Sequence, residues 1–315
     1  MDEGDQFLVA DVGATKTLLF LAKHHVHEPS LIKKGEYLAE NFHCLEEIFI
    51  EFLQGQGHVK YAAIGACGPV TNDVCKLTNL PWMLDKKRIS AMFAFERLFL
   101  INDLELEGWG IHSLNDHDLL VIQKGVKNKG NVRALLSVGT GLGEGIILED
   151  RVLPTEGGHA DFAPSTESEI GFLQWMQQRA AYVSFEKVLC GEGIENVYEF
   201  FSKKRDLKAE QIFLAEETHS KRAVSFFLQT LGKEAGNFAL KTLCLGGLYL
   251  TGGVLKKNYL LIQRGEVAQN FKEKGQHKNI LEQIPIYLII GDKSVFFGGW
   301  NYLKAALKRV NNSKK

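Results

Sequence analysis

Three turns in this sequence carry residues able to hold phosphate. The first is Asp11-Val12-Gly13-Ala14-Thr15-Lys16-Thr17, set between apolar runs at 7–10 and 18–22. A tight hairpin there exposes backbone N–H groups that can cradle a phosphate. Its aspartate can hold a hydrated magnesium ion, and its threonine hydroxyl can donate to a phosphate oxygen. An ordinary hairpin with a capping aspartate accounts for the same residues. The second turn, Ser137 to Gly143, has glycine at 139, 141 and 143, where positive φ and close approach to an anion are both possible. It is no P-loop, since no Lys-Ser/Thr pair follows. It is no dinucleotide fingerprint either, because a strand follows it and not a helix. The third is Gly252-Gly253, behind the apolar run 248–251. A nucleoside can lie flat against such a turn at the C-terminal end of a strand, where ligands of α/β sheets bind.

Two further clusters could act on a hydroxyl compound. Asn102-Asp103 follows the apolar run 98–101. A carboxylate at a strand tip, beside an amide that can orient a substrate, has the makings of a general base. Asp103 can equally cap a helix beginning at Leu104. Glu156-Gly157-Gly158-His159, with Asp161 close behind, pairs a carboxylate and an imidazole around two glycines. Glu156 can accept two hydroxyl hydrogens, and His159 can donate or accept one. The spacing matches no common zinc motif.

These groups need a scaffold of alternating strands and helices. Buried strands are predicted at 7–10, 18–22, 31–38, 61–66, 97–101, 132–138, 145–148, 248–251 and 284–290. Helices are predicted at 44–53, 167–179, 192–201, 221–243 and 294–308. The helix at 44–53 presents Leu45, Ile48, Phe49 and Phe52 at helical spacing. No repeat of 20–50 residues shows.

The 315 residues, 45% hydrophobic and 24% charged, are the composition of a globular chain of one large or two ordinary domains. With 37 basic against 38 acidic side chains, the net charge is −1, which offers no electrostatic footprint for nucleic acid or an anionic membrane. Five scattered cysteines without CxxC spacing fit neither a metal site nor a disulfide framework. The polar stretch 1–6 is no signal peptide, and no apolar run reaches the length of a spanning helix. A cytoplasmic location is the expectation.

In order along the chain, the blocks Asp11-Val-Gly-Ala-Thr, Thr78-Asn79-Leu80-Pro81-Trp82, Ile101-Asn102-Asp103, Gly139-Thr140-Gly141-Leu142-Gly143, Glu156 to Pro164, Ser184 to Gly191 and Thr251-Gly252-Gly253-Val254 resemble the bacterial glucokinase family, over about residues 7–305. The resemblance implies an α/β, two-domain, ribonuclease-H-like fold of the actin/hexokinase type with an interdomain cleft. Residues 1–110 would form the smaller domain, completed by a helix at about 295–315, and residues 111–294 the larger. It implies ATP-dependent phosphorylation of glucose to glucose 6-phosphate, with ATP and magnesium as cofactors. By position, Asp11 matches the magnesium-supporting residue, acting through water. Gly13, Ala14, Thr15 and Lys16 match the first phosphate loop. Gly139, Thr140, Gly141 and Gly143 match the second, and Gly252 and Gly253 the adenosine turn. Asn79, Asn102, Glu156, His159 and Glu186 match the sugar contacts, and Asp103 the base. A homodimer is a family expectation.

Several residues depart from the family pattern. Gly-Ala-Thr-Lys stands where Gly-Gly-Thr-Asn is usual, and Leu104-Glu105-Leu106-Glu107 follows the base. A Glu105 carboxylate aimed at Asp103 would raise the pKa of that base. The residues leave two alternatives open: a kinase for mannose, fructose or an amino sugar, and a hexose- and nucleotide-binding sensor without turnover.

Overall fold

The computed structural model describes residues 1–77, 80–127 and 129–312. They form two compact units, one of Met1–Leu114 with the segment from Asp292 onward, the other of Asn115–Gly291.

The first unit is built on a sheet of order β3-β2-β1-β4-β8: β1 (Gln6–Val12), β2 (Lys16–Lys23), β3 (Ser30–Leu38), β4 (Tyr61–Ala66) and β8 (Arg97–Asn102). A small second sheet joins β5 (Val70–Thr71), β6 (Val74–Lys76) and β7 (Met83–Asp85). The alternation of β1 explains its unbroken apolar run. Leu8, Ala10 and Val12 pack on one side with Leu45, Ile48, Phe49 and Phe52 of α1 (Leu45–Leu53) and Ile89 of α2 (Lys86–Phe93). Phe7 and Val9 pack on the other with Leu106 of α3 (Asp103–Gly110) and with Val295, Phe296, Trp300 and Leu303 of the C-terminal helix Lys293–Asn312. A strand covered on both faces has no reason to alternate with polar residues. The edge strand β3 is different: it is largely exposed and carries Lys33 and Lys34, charges that discourage pairing with another chain.

The second unit has a sheet of order β12-β11-β10-β13-β14-β9: β9 (Leu119–Gln123), β10 (Arg133–Val138), β11 (Leu142–Ile147), β12 (Val152–Thr155), β13 (Leu248–Thr251) and β14 (Ile286–Ile289). Helices α4 (Glu167–Gln177), α5 (Gly191–Ser202), α6 (Ala209–Leu214) and α7 (Thr218–Thr242) pack around one core. Shorter helices α8 (Gly253–Lys257), α9 (Tyr259–Ile262), α10 (Glu266–Lys272) and α11 (Lys278–Leu281) follow. Phe162, Phe172, Phe185 and Phe226 meet edge-on or tilted inside it, the geometry that aromatic quadrupoles favour. The cap of α4 is locked into this core. Thr166 and Glu169 form a reciprocal capping box, and the Lys233 ammonium of α7 donates to Glu169 Oε1 at 2.7 Å.

The two sheets repeat one plan. In each, a central strand forms an antiparallel hairpin with the next and then pairs in parallel with a later strand: β1 with β2 and β4, β10 with β11 and β13. The turns of those two hairpins are residues 13–15 and 139–141. Among the described residues no helix is long and apolar enough to cross a membrane.

Candidate functional site

In the first unit the register assembles the chemistry. Val12, Ala66 and Asn102 lie in one row across the parallel strands β1, β4 and β8. Asp11, just before that row, and Asp103, just after it, therefore share the C-terminal edge of the sheet. Cys67 sits between their fields, its N–H donating to the Val12 carbonyl at 3.1 Å. Burial, then the negative charges of Asp103 and Asp11, push its thiol up to about 12. The hairpin is closed by Gly13 N–H donating to the Lys16 carbonyl (3.0 Å), and Ala39 N–H donates to the Thr15 carbonyl (2.9 Å). Ala14 completes this turn. Lys16 extends across to β3, where its ammonium is 2.8 Å from Glu36, both side chains half exposed.

The helix cap behind the base differs from the sequence expectation. It belongs to Asn102, whose Oδ1 accepts from Leu104 N–H (3.0 Å) and Glu105 N–H (3.2 Å), and α3 begins at Asp103 itself. Asp103 Oδ1 adds a bond from Leu104 N–H at 2.9 Å. Asn102 thus spends its carbonyl oxygen on the helix and keeps its NH2 for another partner. Glu105 interacts with Trp109 and lies in the field of Arg309, and burial raises its pKa. Its carboxylate thus engages Trp109 of the same helix and the charge of Arg309 on the C-terminal helix.

In the second unit the glycine turn is wired to the polar cluster. Gly139 N–H donates to the Gly141 carbonyl (2.9 Å), and the Gly139 carbonyl accepts from Gly191 N–H at the start of α5 (3.0 Å). Leu142 N–H donates to Glu186 Oε2 at 2.9 Å. The other oxygen of Glu186 is 3.9 Å from His159 Nδ1, and His159 Nε2 is 3.9 Å from Glu156 Oε2. The side chains grade from 27% exposed at Glu186 to 45% at His159 and 85% at Glu156. Residues 25 to 30 apart in sequence meet because their loops are stitched together. Phe185 N–H donates to the Ala160 carbonyl (3.0 Å), and Asp161 bridges Ser184.

Gly157 and Gly158 make the close approach possible. A β-carbon on Gly157 would run into Glu144 Oε2, and one on Gly158 into the Leu142 carbonyl. Glu144, a lone charge in the strand Leu-Gly-Glu-Gly-Ile-Ile, was not singled out by the sequence, although that isolation was a readable signal. Beside the glycine turn, Ser137 of β10 pairs with Thr251 of β13, which brings Gly252 against Val138. Gly252 has φ +97°, and a side chain there would strike the Val138 carbonyl, while Gly253 next to it faces open space. Gly252→Ala is expected to lower stability by about 1–3 kcal/mol through backbone strain, seen as a drop of a few degrees in Tm. An unchanged melting temperature would remove that constraint.

Asn79 lies outside the described residues. The other candidates form two sets: Asp11, Gly13, Ala14, Thr15, Lys16, Asn102 and Asp103 on the first sheet, and Gly139, Thr140, Gly141, Gly143, Glu156, His159, Glu186, Gly252 and Gly253 on the second. No group of three or more His, Cys, Asp or Glu positioned to hold a metal ion occurs among the described residues.

Two sheets of one plan, each with a hairpin turn at its centre, define the actin/hexokinase-type fold of sugar kinases. A solved structure of glucokinase from an Antarctic psychrotroph superimposes with a TM-score of 0.83 at 26% identity, covering 95% of this chain and 99% of that one. The Glucokinase family model matches residues 8–306, and the chain belongs to that family. It is 33% identical to a glucokinase of Nostoc sp. over 92% of this chain and 96% of the relative. It is 30% identical to one of Photorhabdus laumondii over 96% and 98%.

Proposed function

We propose that this protein transfers the γ-phosphoryl group of ATP to glucose, giving glucose 6-phosphate and ADP. Family membership supports the reaction. The observation that carries the reading at residue level is Glu186, which bonds the glycine turn through one carboxylate oxygen and faces His159 with the other. One side chain thereby couples a phosphate-type loop to a hydroxyl-reading cluster.

In this mechanism Asp103 takes the proton of the sugar 6-hydroxyl as its oxygen attacks the γ-phosphorus. The new O–P bond forms as the bond to the β-phosphate oxygen breaks, and ADP leaves. Asn102, Glu156, His159 and Glu186 orient the sugar, with Asn79 as a further proposed contact. Backbone N–H groups at the tips of the two hairpins, residues 14–15 and 140–141, neutralise phosphate charge, and Gly252 and Gly253 receive the adenosine. Such a transfer needs positioning and charge compensation more than covalent chemistry. Asp11 fits a magnesium ion held through water: it is a hard, partly exposed carboxylate that shares its surroundings with a second anion, Asp103. The ion, when bound, offsets the charge on the phosphates. Five free cysteines, three of them buried, suit a reducing cytoplasm. Light scattering tests the proposed homodimer.

The deciding experiment is coupled-assay turnover with ATP and magnesium across glucose, mannose, fructose and N-acetylglucosamine. Glucose is expected to give the dominant kcat/KM. A higher value for another hexose overturns the substrate, and binding without turnover of any of them overturns the enzyme.

A further inference from the structure

Beneath the Gly157–His159 turn lies a pair of carboxyl groups that the reaction does not use. Glu144 of β11 is 1% exposed and Glu234 of α7 is fully buried, and the two carboxyls lie within each other's hydrogen-bonding reach. Each has one buried oxygen, Oε1, without a hydrogen-bond donor among the described residues. Two carboxylates can only accept, so a bond between them requires a proton on one.

The surroundings decide which one holds it. Glu234 Oε2 accepts from Asn237 Nδ2 at 2.8 Å, and its Oε1 is 3.6 Å from the Lys241 ammonium. Lys274 stands one step further out, donating to Asn237 Oδ1 at 2.6 Å. Burial raises the Glu234 carboxyl too, but Asn237 and Lys241 oppose that rise; the Lys241 charge also reaches Glu144, where it ranks behind burial and the Glu234 charge. Around Glu144, the neighbours across the sheet are Leu136 of β10 and Thr155 of β12, both uncharged. The charged groups of the turn above, Glu156 and His159, are themselves well exposed. A buried carboxylate with no donor bonded to it, beside an ionised partner, is strongly disfavoured.

Glu144 is also mechanically linked to the turn. Its carboxyl fills the space below Gly157. Its backbone carbonyl accepts from Thr155 Oγ1 at 3.0 Å, and that hydroxyl oxygen accepts from Gly157 N–H at 3.2 Å. We infer that Glu144 is a positioning residue for sugar binding: as a neutral acid its O–H donates a hydrogen bond to Glu234 and keeps a compact, uncharged group under Gly157, fixing the turn that carries Glu156 and His159. This rests on those two residues reading the sugar, as proposed above.

Burial and then the Glu234 charge push the Glu144 carboxyl up to about 8, so ionisation falls within reach of an ordinary titration. The test is glucose affinity by calorimetry, which needs no turnover, between about pH 6.5 and pH 9. The wild-type Kd is expected to rise about tenfold one unit above the midpoint, as the neutral fraction falls to about a tenth. Glu144→Gln, a neutral donor of the same size, is expected to keep the tight Kd across the range. Glu144→Ala is expected to bind weakly throughout. Infrared difference spectra of wild type against Glu144→Gln should show a neutral carboxylic-acid band at pH 7 that fades as the Kd rises. Absence of that band, a Kd of Glu144→Gln that climbs with pH as the wild type does, or wild-type affinity in Glu144→Ala overturns the inference. If wild-type protein binds no glucose even at pH 7, the sugar assignment itself fails, a result distinct from binding that ignores pH.

Discussion

Asp103→Asn is expected to lower turnover about 10²- to 10⁴-fold, the usual contribution of a positioned base, while glucose affinity stays within a few-fold of wild type. The structure makes this a clean substitution. Asp103 Oδ1 accepts from Leu104 N–H, and the cap of α3 rests on Asn102. An amide oxygen can accept the same bond, so the helix start and the strand tip keep their shape. What the amide cannot do is take up the hydroxyl proton. Single-turnover phosphorylation and calorimetric glucose binding, measured on one preparation, separate the two effects. Turnover near the wild-type rate would strip Asp103 of its role, and a large loss of glucose affinity would make it a binding residue.

Glu186→Ala should weaken both substrates together. It removes a charge-assisted bond to Leu142 N–H and the carboxylate facing His159. A hydrogen bond to an ionised group contributes about 1.5–3 kcal/mol, roughly 10- to 150-fold in affinity. Glu186→Gln is expected to split the effects. Its amide oxygen can still accept from Leu142, restoring ATP affinity, while the lost charge beside His159 leaves glucose weak. Initial-rate KM values for the two substrates provide the check. A change confined to glucose would mean that the glycine turn holds its shape unaided.

The long buried strands were legible because both faces are covered. Apolar runs at 7–10, 61–66 and 248–251 correspond to β1, β4 and β13. The helix at 44–53 showed itself through Leu45, Ile48, Phe49 and Phe52, all of which are buried. The small sheet β5-β6-β7 was invisible, since strands of two or three residues are too short to set a period. The strand after the glycine turn starts at Leu142, three residues earlier than expected. Gly143 and Gly145 hide its pattern, and register with Ser137 and Val138 overrides their weak strand preference. The polar residues of the candidate site were picked out by type and order, but their second tasks were not. The Asn102 cap of α3 is local, and Asn and Asp side by side are both good caps, so residue type alone did not choose between them. That Glu186 would anchor the glycine turn and that Glu144 would lie beneath Gly157 depend on contacts distant in sequence. Such contacts leave no local periodicity to read.

The C-terminal helix covers Phe7, Val9 and Phe20 on the first sheet, yet it is translated after the whole of the second unit. During synthesis residues 115–291 are therefore available to build a contiguous core while the earlier strands still wait for their cover. A nascent chain paused before residue 293 would display an aromatic surface from its oldest segment, the kind of exposed apolar face that draws holdase chaperones or misassembles with a neighbouring polysome product. The order of translation makes the first-made unit the last to be finished.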